Sequence, residues 1–240
     1  MDQFSNKSKV QEIKERFDRD VERFSDLATG QQTTLDATHS MELIVDSVLA
    51  LTPNIQSVLD VGCGAGNYTL KLLTRKNPLD CTLLDLSWPM LERAKARVEE
   101  VNAGRTTLVQ EDIRTAPLKE NQFCTIMAAA VLHHLRGDEE WEQVFTKLYK
   151  LLKPGGTLWI SDLVRQETTA IQQLIYHEKY GKYLTGLKDE HYRDHVFSYI
   201  EKEDSPRSLN YQIDLLKQVG FRKVEILHKN LCFATFGAIK

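Results

Sequence analysis

The chain has no paired cysteines. Cys63, Cys81, Cys124 and Cys232 are scattered without a CxxC pair, which excludes a zinc ribbon and a small disulfide framework and suits reduced thiols. It has no run approaching the roughly 18 apolar residues that span a membrane, and its opening residues, MDQFSNKSKVQEIKERF, contain no apolar signal core. A cytoplasmic protein with no membrane partner is therefore expected. Charge of one sign is also missing: 31 Lys+Arg against 34 Asp+Glu leave a net charge of -3, too little positive field to neutralise a nucleic-acid backbone. Internal repeats and low-complexity segments are absent too. What remains, 240 residues at 42% hydrophobic, is enough for one large domain with a buried core.

Apolar residues at three- and four-residue steps (Val10, Ile13, Phe17, Val21, Phe24, Leu27) predict an amphipathic helix over 8–27, and a second helix is expected over 40–51. The chain then alternates: strand 56–61, helix 66–74, strand 81–85, helix 88–101, strands 106–110 and 122–129, helix 138–152 capped by Asp138, strand 157–162. Such alternation gives an α/β fold, a parallel sheet with helices on both faces. A helix at 206–219 closed by Gly220 precedes two β-rich runs, FRKVEILHK and LCFATFGAI, which read as an antiparallel hairpin at the sheet edge. Between them and the alternating part lies a helical insertion, 164–205. It carries five of the eight tyrosines, and long insertions tend to sit over ligand sites.

Residues 58–70, VLDVGCGAGNYTL, form the first strand–turn–helix, where a parallel sheet binds its ligand. Gly62, Gly64 and Gly66 let the backbone approach a ligand closely. A dinucleotide fingerprint would need its third glycine at position 67, which is Asn67. Asp60, two residues before the first glycine, repels a phosphate and suits a cationic amine or sulfonium. Asp85 ends the second strand, where an acid can accept both ribose hydroxyls. Asp112 and Ile113 end the third, offering an acid to an exocyclic amine and an apolar face to adenine.

With VLDVGCGAG, LLDLSWPML, QEDI, VLHHL and LLKPGGTLWISD in this order across 55–165, the chain resembles the class I S-adenosylmethionine-dependent methyltransferases. The resemblance implies a Rossmann-like seven-stranded sheet with an antiparallel last hairpin, and a single domain over 1–240. Within it, 1–52 would be an N-terminal helical lid, 53–163 the cofactor-binding core, 164–205 a helical cap, and 206–240 the last helix and hairpin. It implies S-adenosylmethionine as cofactor, with S-adenosylhomocysteine as product. Contacts would come from Asp60, Gly62 and Gly64 at the methionine part, Asp85 and Leu86 at the ribose, Asp112 and Ile113 at adenine, and Ala128 and Ala129 through their backbone at the sulfonium end. Cys124 departs from the family, whose members often carry an acid there.

The sulfonium methyl is already activated, so alignment of the acceptor carries most of the work. His133, standing with His134 after the fourth strand, is the candidate base, with a structural or gating role as the competing reading; the two side chains are expected to point in different directions. Tyr176, Tyr180 and Tyr183 are candidate substrate contacts, with core packing as the competing role, and Gln31, Thr33 and Thr34 are candidate polar contacts from the lid. His191 and His195 share a helical face, but without further ligands no metal is expected. The N-terminal helix and the insertion could form a homodimer surface. The acceptor is expected to be a small molecule: the N/D-P-P-Y/F tetrapeptide of adenine and amide N-methylation is missing. Two other readings stand beside this one. The last third loosely resembles carboxy-S-adenosylmethionine synthase, a cofactor-modifying enzyme of tRNA maturation, with Arg193 and Arg207 in the region where a carboxylate would be gripped. A non-catalytic cofactor-binding regulator is the third.

Overall fold

The computed structural model describes Phe4, residues 6–26 and residues 30–240. The predicted first helix is two: α1 (Val10–Arg19) and α2 (Val21–Ser25). The chain breaks at Asp20, whose amide donates to the Phe17 carbonyl three residues back instead of continuing the i−4 ladder. Leu27 lies outside the described residues. Helix α3 (Ala37–Leu51) starts after Asp36, which is in the left-handed region at φ 55° and is held by His228 and Asn230.

From there the alternation holds: β1 (Ser57–Val61), α4 (Asn67–Leu73), β2 (Asp80–Asp85), α5 (Trp88–Val101), β3 (Thr106–Gln110), β4 (Phe123–Ala129), α6 (Asp138–Leu151) and β5 (Leu152–Leu163). Gly137, not Asp138, is the cap of α6; Asp138 stands in its first turn and pairs with Arg207 at 2.5 Å. After an extended lead-in that bridges Arg165 to Ser208, the insertion is mostly helical, as α7 (Thr169–Gln172), a π-helical segment (Gln173–Tyr180), α8 (Gly181–Leu187) and α9 (Glu190–Glu203). Helix α10 (Leu209–Gln218), β6 (Lys223–Asn230) and β7 (Phe233–Ile239) close the fold.

The seven strands lie in the order β3-β2-β1-β4-β5-β7-β6. The first five are parallel, and β7 runs antiparallel to both β5 and β6. Each face of the sheet is sealed by helices. On one, the predicted α6 stripe (Trp141, Val144, Phe145, Leu148, Leu151) packs with Leu215 and Leu216 of α10 against Leu59, Val61, Ile126 and Ala128. On the other, Ile44, Val45 and Val48 of α3 join Leu72, Leu91 and Val98 against Val58, Met127 and Trp159. Helix α3 is thus part of the core, unlike α1 and α2, whose residues Ile13, Arg16, Phe17 and Phe24 line the cavity at the strand ends. A third cluster joins Tyr180, Leu184 and Val196 of the insertion to Leu35, Leu163 and Cys232, docking the cap onto the β6–β7 turn. All four cysteines are free, and Cys124 accepts a hydrogen bond from Ser57 at the far end of the sheet. Among the described residues, no helix is long and apolar enough to cross a membrane.

Candidate active site

The parallel strands all end on one side of the sheet, where the turns that follow them enclose a cavity of about 1080 Å3. Asp60, Gly62 and Gly64 line it from the β1 turn, Asp85 and Leu86 from β2, Asp112 and Ile113 from β3, Ala129 from β4 and Asp162 from β5. Above them lie Arg16 and Phe17 of α1, Phe24 of α2, Gln31, Thr33 and Thr34, and Tyr180, Tyr192 and Tyr199 of the insertion. Arg16 clasps lid to cap: its Nε and Nη2 donate to the two oxygens of Glu203 at 2.9 and 2.7 Å, and Nη2 donates to the Tyr199 hydroxyl at 3.1 Å.

The glycine turn is locked to the second strand. The Gly64 amide donates to Asp85 Oδ2 at 2.8 Å and the Ser87 amide to Oδ1 at 2.9 Å, which fixes the carboxylate while leaving each oxygen a second lone pair. Gly62 and Gly64 sit at φ 64° and 50°. A Cβ on Gly62 would fall 2.6 Å from a methyl of Val131, whereas one on Gly64 meets nothing within 4 Å. Both alanine variants pay about 1–2 kcal/mol of left-handed strain, and Gly62→Ala adds overpacking of about 1–3 kcal/mol. Thermal unfolding should therefore show a larger loss for Gly62→Ala than for Gly64→Ala.

Asp60 is 2% exposed and accepts a hydrogen bond from the Thr69 hydroxyl at 2.7 Å. Burial pushes its carboxyl up to about 7, and the neighbouring Asp85 adds to this. Among the described residues no side-chain cation pairs with it. A buried carboxyl facing a cavity without a counter-charge fits a ligand that brings one. Together with the backbone-locked Asp85 and the Cβ-free approach at the turn, it fits the cationic nucleoside S-adenosylmethionine. Asp112 is less free than the sequence suggests. Arg114 forks onto it, Nε to Oδ1 at 2.9 Å and Nη2 to Oδ2 at 2.6 Å. Burial would raise its carboxyl, but the Arg114 fork outweighs burial and holds it below the usual range. Any amine it binds shares it with Arg114.

Ala128 does not line the cavity. Strand residues alternate faces, and its methyl points into the α6 layer while its neighbour Ala129 reaches the site. The tyrosines divide as well. Tyr180 lines the cavity, fully buried, with its hydroxyl donating to the Thr33 carbonyl at 2.8 Å. Tyr183 donates to the Gln32 carbonyl at 2.8 Å, and Tyr176 stacks on Phe197 with centroids 4.9 Å apart; neither lines the cavity.

His133 and His134 converge, contrary to expectation. They share a tight 3-10 turn (Leu132–His134) that brings their ring centroids to 4.4 Å and both rings toward Asp204. His133 Nδ1 donates to Asp162 Oδ1, while Asp162 Oδ2 accepts the Leu132 and His133 amides at 2.9 and 3.1 Å. Burial alone would favour the neutral ring, but Asp162 and Asp204 outweigh it and push His133 up to about 9. With Nδ1 held by Asp162 and Nε2 facing Asp204 Oδ1 at 3.6 Å, both ring nitrogens of the candidate base have acidic neighbours. Asp162 escaped the sequence reading although it ends β5 just as Asp60 ends β1. Asp204, Arg16 and Arg136 carried no local signal. Arg193 pairs with Asp194 and Glu190, Arg207 with Asp138, and neither lines the cavity.

Residues 58–156 match a family model described as a methyltransferase domain. The carboxy-S-adenosyl-L-methionine synthase of Desulfotalea psychrophila is 30% identical over 195 residues, covering 77% of this chain and 75% of that protein. The ubiquinone/menaquinone biosynthesis C-methyltransferase of Ruegeria sp. is 27% identical, covering 73% and 69%. Among solved structures, human N-acetylserotonin methyltransferase in complex with its cofactor superposes with a TM-score of 0.62 at 17% identity, covering 95% of this chain and 56% of that one. Strand order, the domain match and the 30% identical relative agree: the chain belongs to the S-adenosylmethionine-dependent methyltransferase family.

Proposed function

We propose that the chain methylates a small molecule held between the strand ends and the lid. The observation that carries this reading is the cavity itself. At about 1080 Å3 it exceeds the range of about 300–1,000 Å3 that holds one small ligand, which leaves room for cofactor and acceptor together. Its roof of α1, α2 and the insertion suits an enclosed metabolite better than a nucleic acid or protein chain.

S-adenosylmethionine supplies an electrophilic methyl group on a positively charged sulfur. The residues of this chain supply position. Asp60 and the Gly62–Gly64 turn bind the methionine part, Asp85 and Leu86 the ribose, Asp112 and Ile113 the base. Ala129 and Ala130 flank the reacting end. Phe17, Phe24, Tyr180 and Tyr199 exclude water from it, and such alignment accounts for about 7 kcal/mol or more of barrier reduction in favourable cases. His133 lines the acceptor end of the cavity, its ring fixed there by Asp162.

A second reading is favoured by the 30% relative named for carboxy-S-adenosyl-L-methionine synthesis. Lys7, Arg16, Arg136 and His133 line the acceptor end and would suit an added carboxylate, although both arginines are already engaged by the Glu203 side chain and backbone. Mass spectrometry of the nucleoside that co-purifies with the protein separates the two. Plain S-adenosylmethionine or S-adenosylhomocysteine is expected; a carboxylated cofactor would overturn methyl transfer to an acceptor in favour of cofactor modification.

A further inference from the structure

We propose that His133, His134 and Asp204 form a binding site for a divalent transition-metal ion at the acceptor end of the cavity. The three residues offer one donor atom each, and these all lie within 4.8 Å of one another. Asp204 Oδ1 stands 3.2 Å from His134 Nδ1 and 3.6 Å from His133 Nε2, separations that suit three ligands around one ion with bonds of about 2.0–2.2 Å. Asp204 is 4% exposed and lines the cavity, yet its Oδ1 receives no well-directed hydrogen bond. An acceptor buried and left without a donor is costly, and a cation at that point satisfies it.

The surroundings carry the same signature. Metal-bound histidines almost always present their other ring nitrogen to a carboxylate or carbonyl, which fixes the ring and its tautomer. His133 does this through Nδ1 and Asp162, whose second oxygen is pinned by two backbone amides. Its Nε2 is thereby aimed at Asp204, 3.6 Å from Oδ1, where one ion can be shared by the two. Nearby cations are occupied elsewhere: Arg16 by Glu203, Arg136 by the Glu203 carbonyl and Ser205, and the Lys7 ammonium by backbone carbonyls of 201 and 204.

Two imidazoles and one carboxylate suit Zn2+, Fe2+, Mn2+ or Co2+ better than Ca2+, and three protein ligands leave coordination positions open toward the cavity. Such a set serves a ligand-binding or catalytic role, not a structural one. The open position gives an acceptor oxygen or nitrogen a fixed seat; that role rests on the methyl-transfer reading, whereas binding of the ion does not.

The test uses the full chain, stripped with a chelator and titrated with Co2+ followed by its visible absorption, then with Zn2+ by calorimetry. One ion per chain is expected. His134→Ala and Asp204→Ala should each weaken binding by roughly 100-fold or more, and Asp162→Asn by about 10- to 100-fold through His133. His191→Ala, exposed and away from the cavity, should bind as the unsubstituted chain does. Thermal unfolding of each variant reports whether it is folded, and the Co2+ spectrum of the unsubstituted protein needs no variant. Absence of a stoichiometric Co2+ spectrum, or full affinity in folded His134→Ala, overturns the site. Cofactor affinity is measured on the same samples, so loss of the metal site and failure of the cofactor site are read separately. Methyl transfer that is unchanged after the ion is removed overturns its acceptor role.

Discussion

Asp85→Ala is expected to weaken binding of S-adenosylmethionine by roughly 100-fold or more. A carboxylate that accepts two ribose hydroxyls makes two charge-assisted hydrogen bonds, each of about 1.5–3 kcal/mol when one partner is removed. The carboxylate is aimed before any ligand arrives, by the amides of Gly64 and Ser87 on its two oxygens. Its loss acts on the glycine turn as well as on the ribose. The fold itself should change little, because two opposing terms meet. Removing a carboxyl whose burial raises it relieves a desolvation cost, while leaving two amides without their acceptor restores one. Asp85→Asn keeps an acceptor for one amide and should fall between the two. Calorimetric titration with thermal unfolding of the unliganded proteins checks both halves. Unchanged affinity in Asp85→Ala would remove the ribose assignment.

Asp60→Asn should separate stability from binding. With its carboxyl pushed up to about 7 against an ordinary value of 3.8, the folded chain keeps a proton between those two values that the unfolded chain has released. Stability of the unliganded protein therefore falls as pH rises from about 4 to about 7, by up to about 4 kcal/mol if the whole shift is expressed. Asparagine carries no such charge and still offers an oxygen to the Thr69 hydroxyl. Near pH 8 the variant should melt several degrees above the unsubstituted chain, since about 1 kcal/mol moves the midpoint of a domain this size by about 2–4 °C. Near pH 4 the difference should vanish. The same change removes the partner for a cationic ligand, and S-adenosylmethionine should bind about 10- to 100-fold more weakly. A variant that is less stable at pH 8, or that binds the cofactor normally, contradicts the role given to Asp60.

Much of the site's floor was legible because strand ends are local. An acid at the end of an apolar run, followed by a turn, announces itself in sequence, and Asp60, Gly62, Gly64, Asp85, Leu86, Asp112 and Ile113 all line the cavity. The same rule applied to WISD would have found Asp162. Ala128, expected at the sulfonium end through its backbone, turns its methyl with that of neighbouring Ile126 into the α6 layer, as the period of two requires. The roof was less readable. Arg16 meets Glu203 across 187 positions of sequence, and Asp204 meets His133 across the fold; no local pattern encodes such pairs. The tyrosines lie in a row, ring centroids 5.7 Å apart for Tyr176–Tyr180 and 6.2 Å for Tyr180–Tyr183. Only Tyr180 lines the cavity, while the other two pack on the insertion's core, the competing role that their spacing left open. The paired histidines converge because the turn that follows the fourth strand is a tight 3-10 turn.

Methyl transfer is tested most directly with S-adenosylmethionine carrying a deuterated methyl group, incubated with the protein and the low-mass fraction of a cell extract and followed by mass spectrometry. Transfer to a small acceptor predicts S-adenosylhomocysteine and, in step with it, a low-mass product bearing the intact labelled methyl, with both lost in Asp85→Ala at cofactor concentrations that sustain the unsubstituted enzyme. Cofactor that binds but yields neither S-adenosylhomocysteine nor a labelled small molecule in any fraction would contradict it.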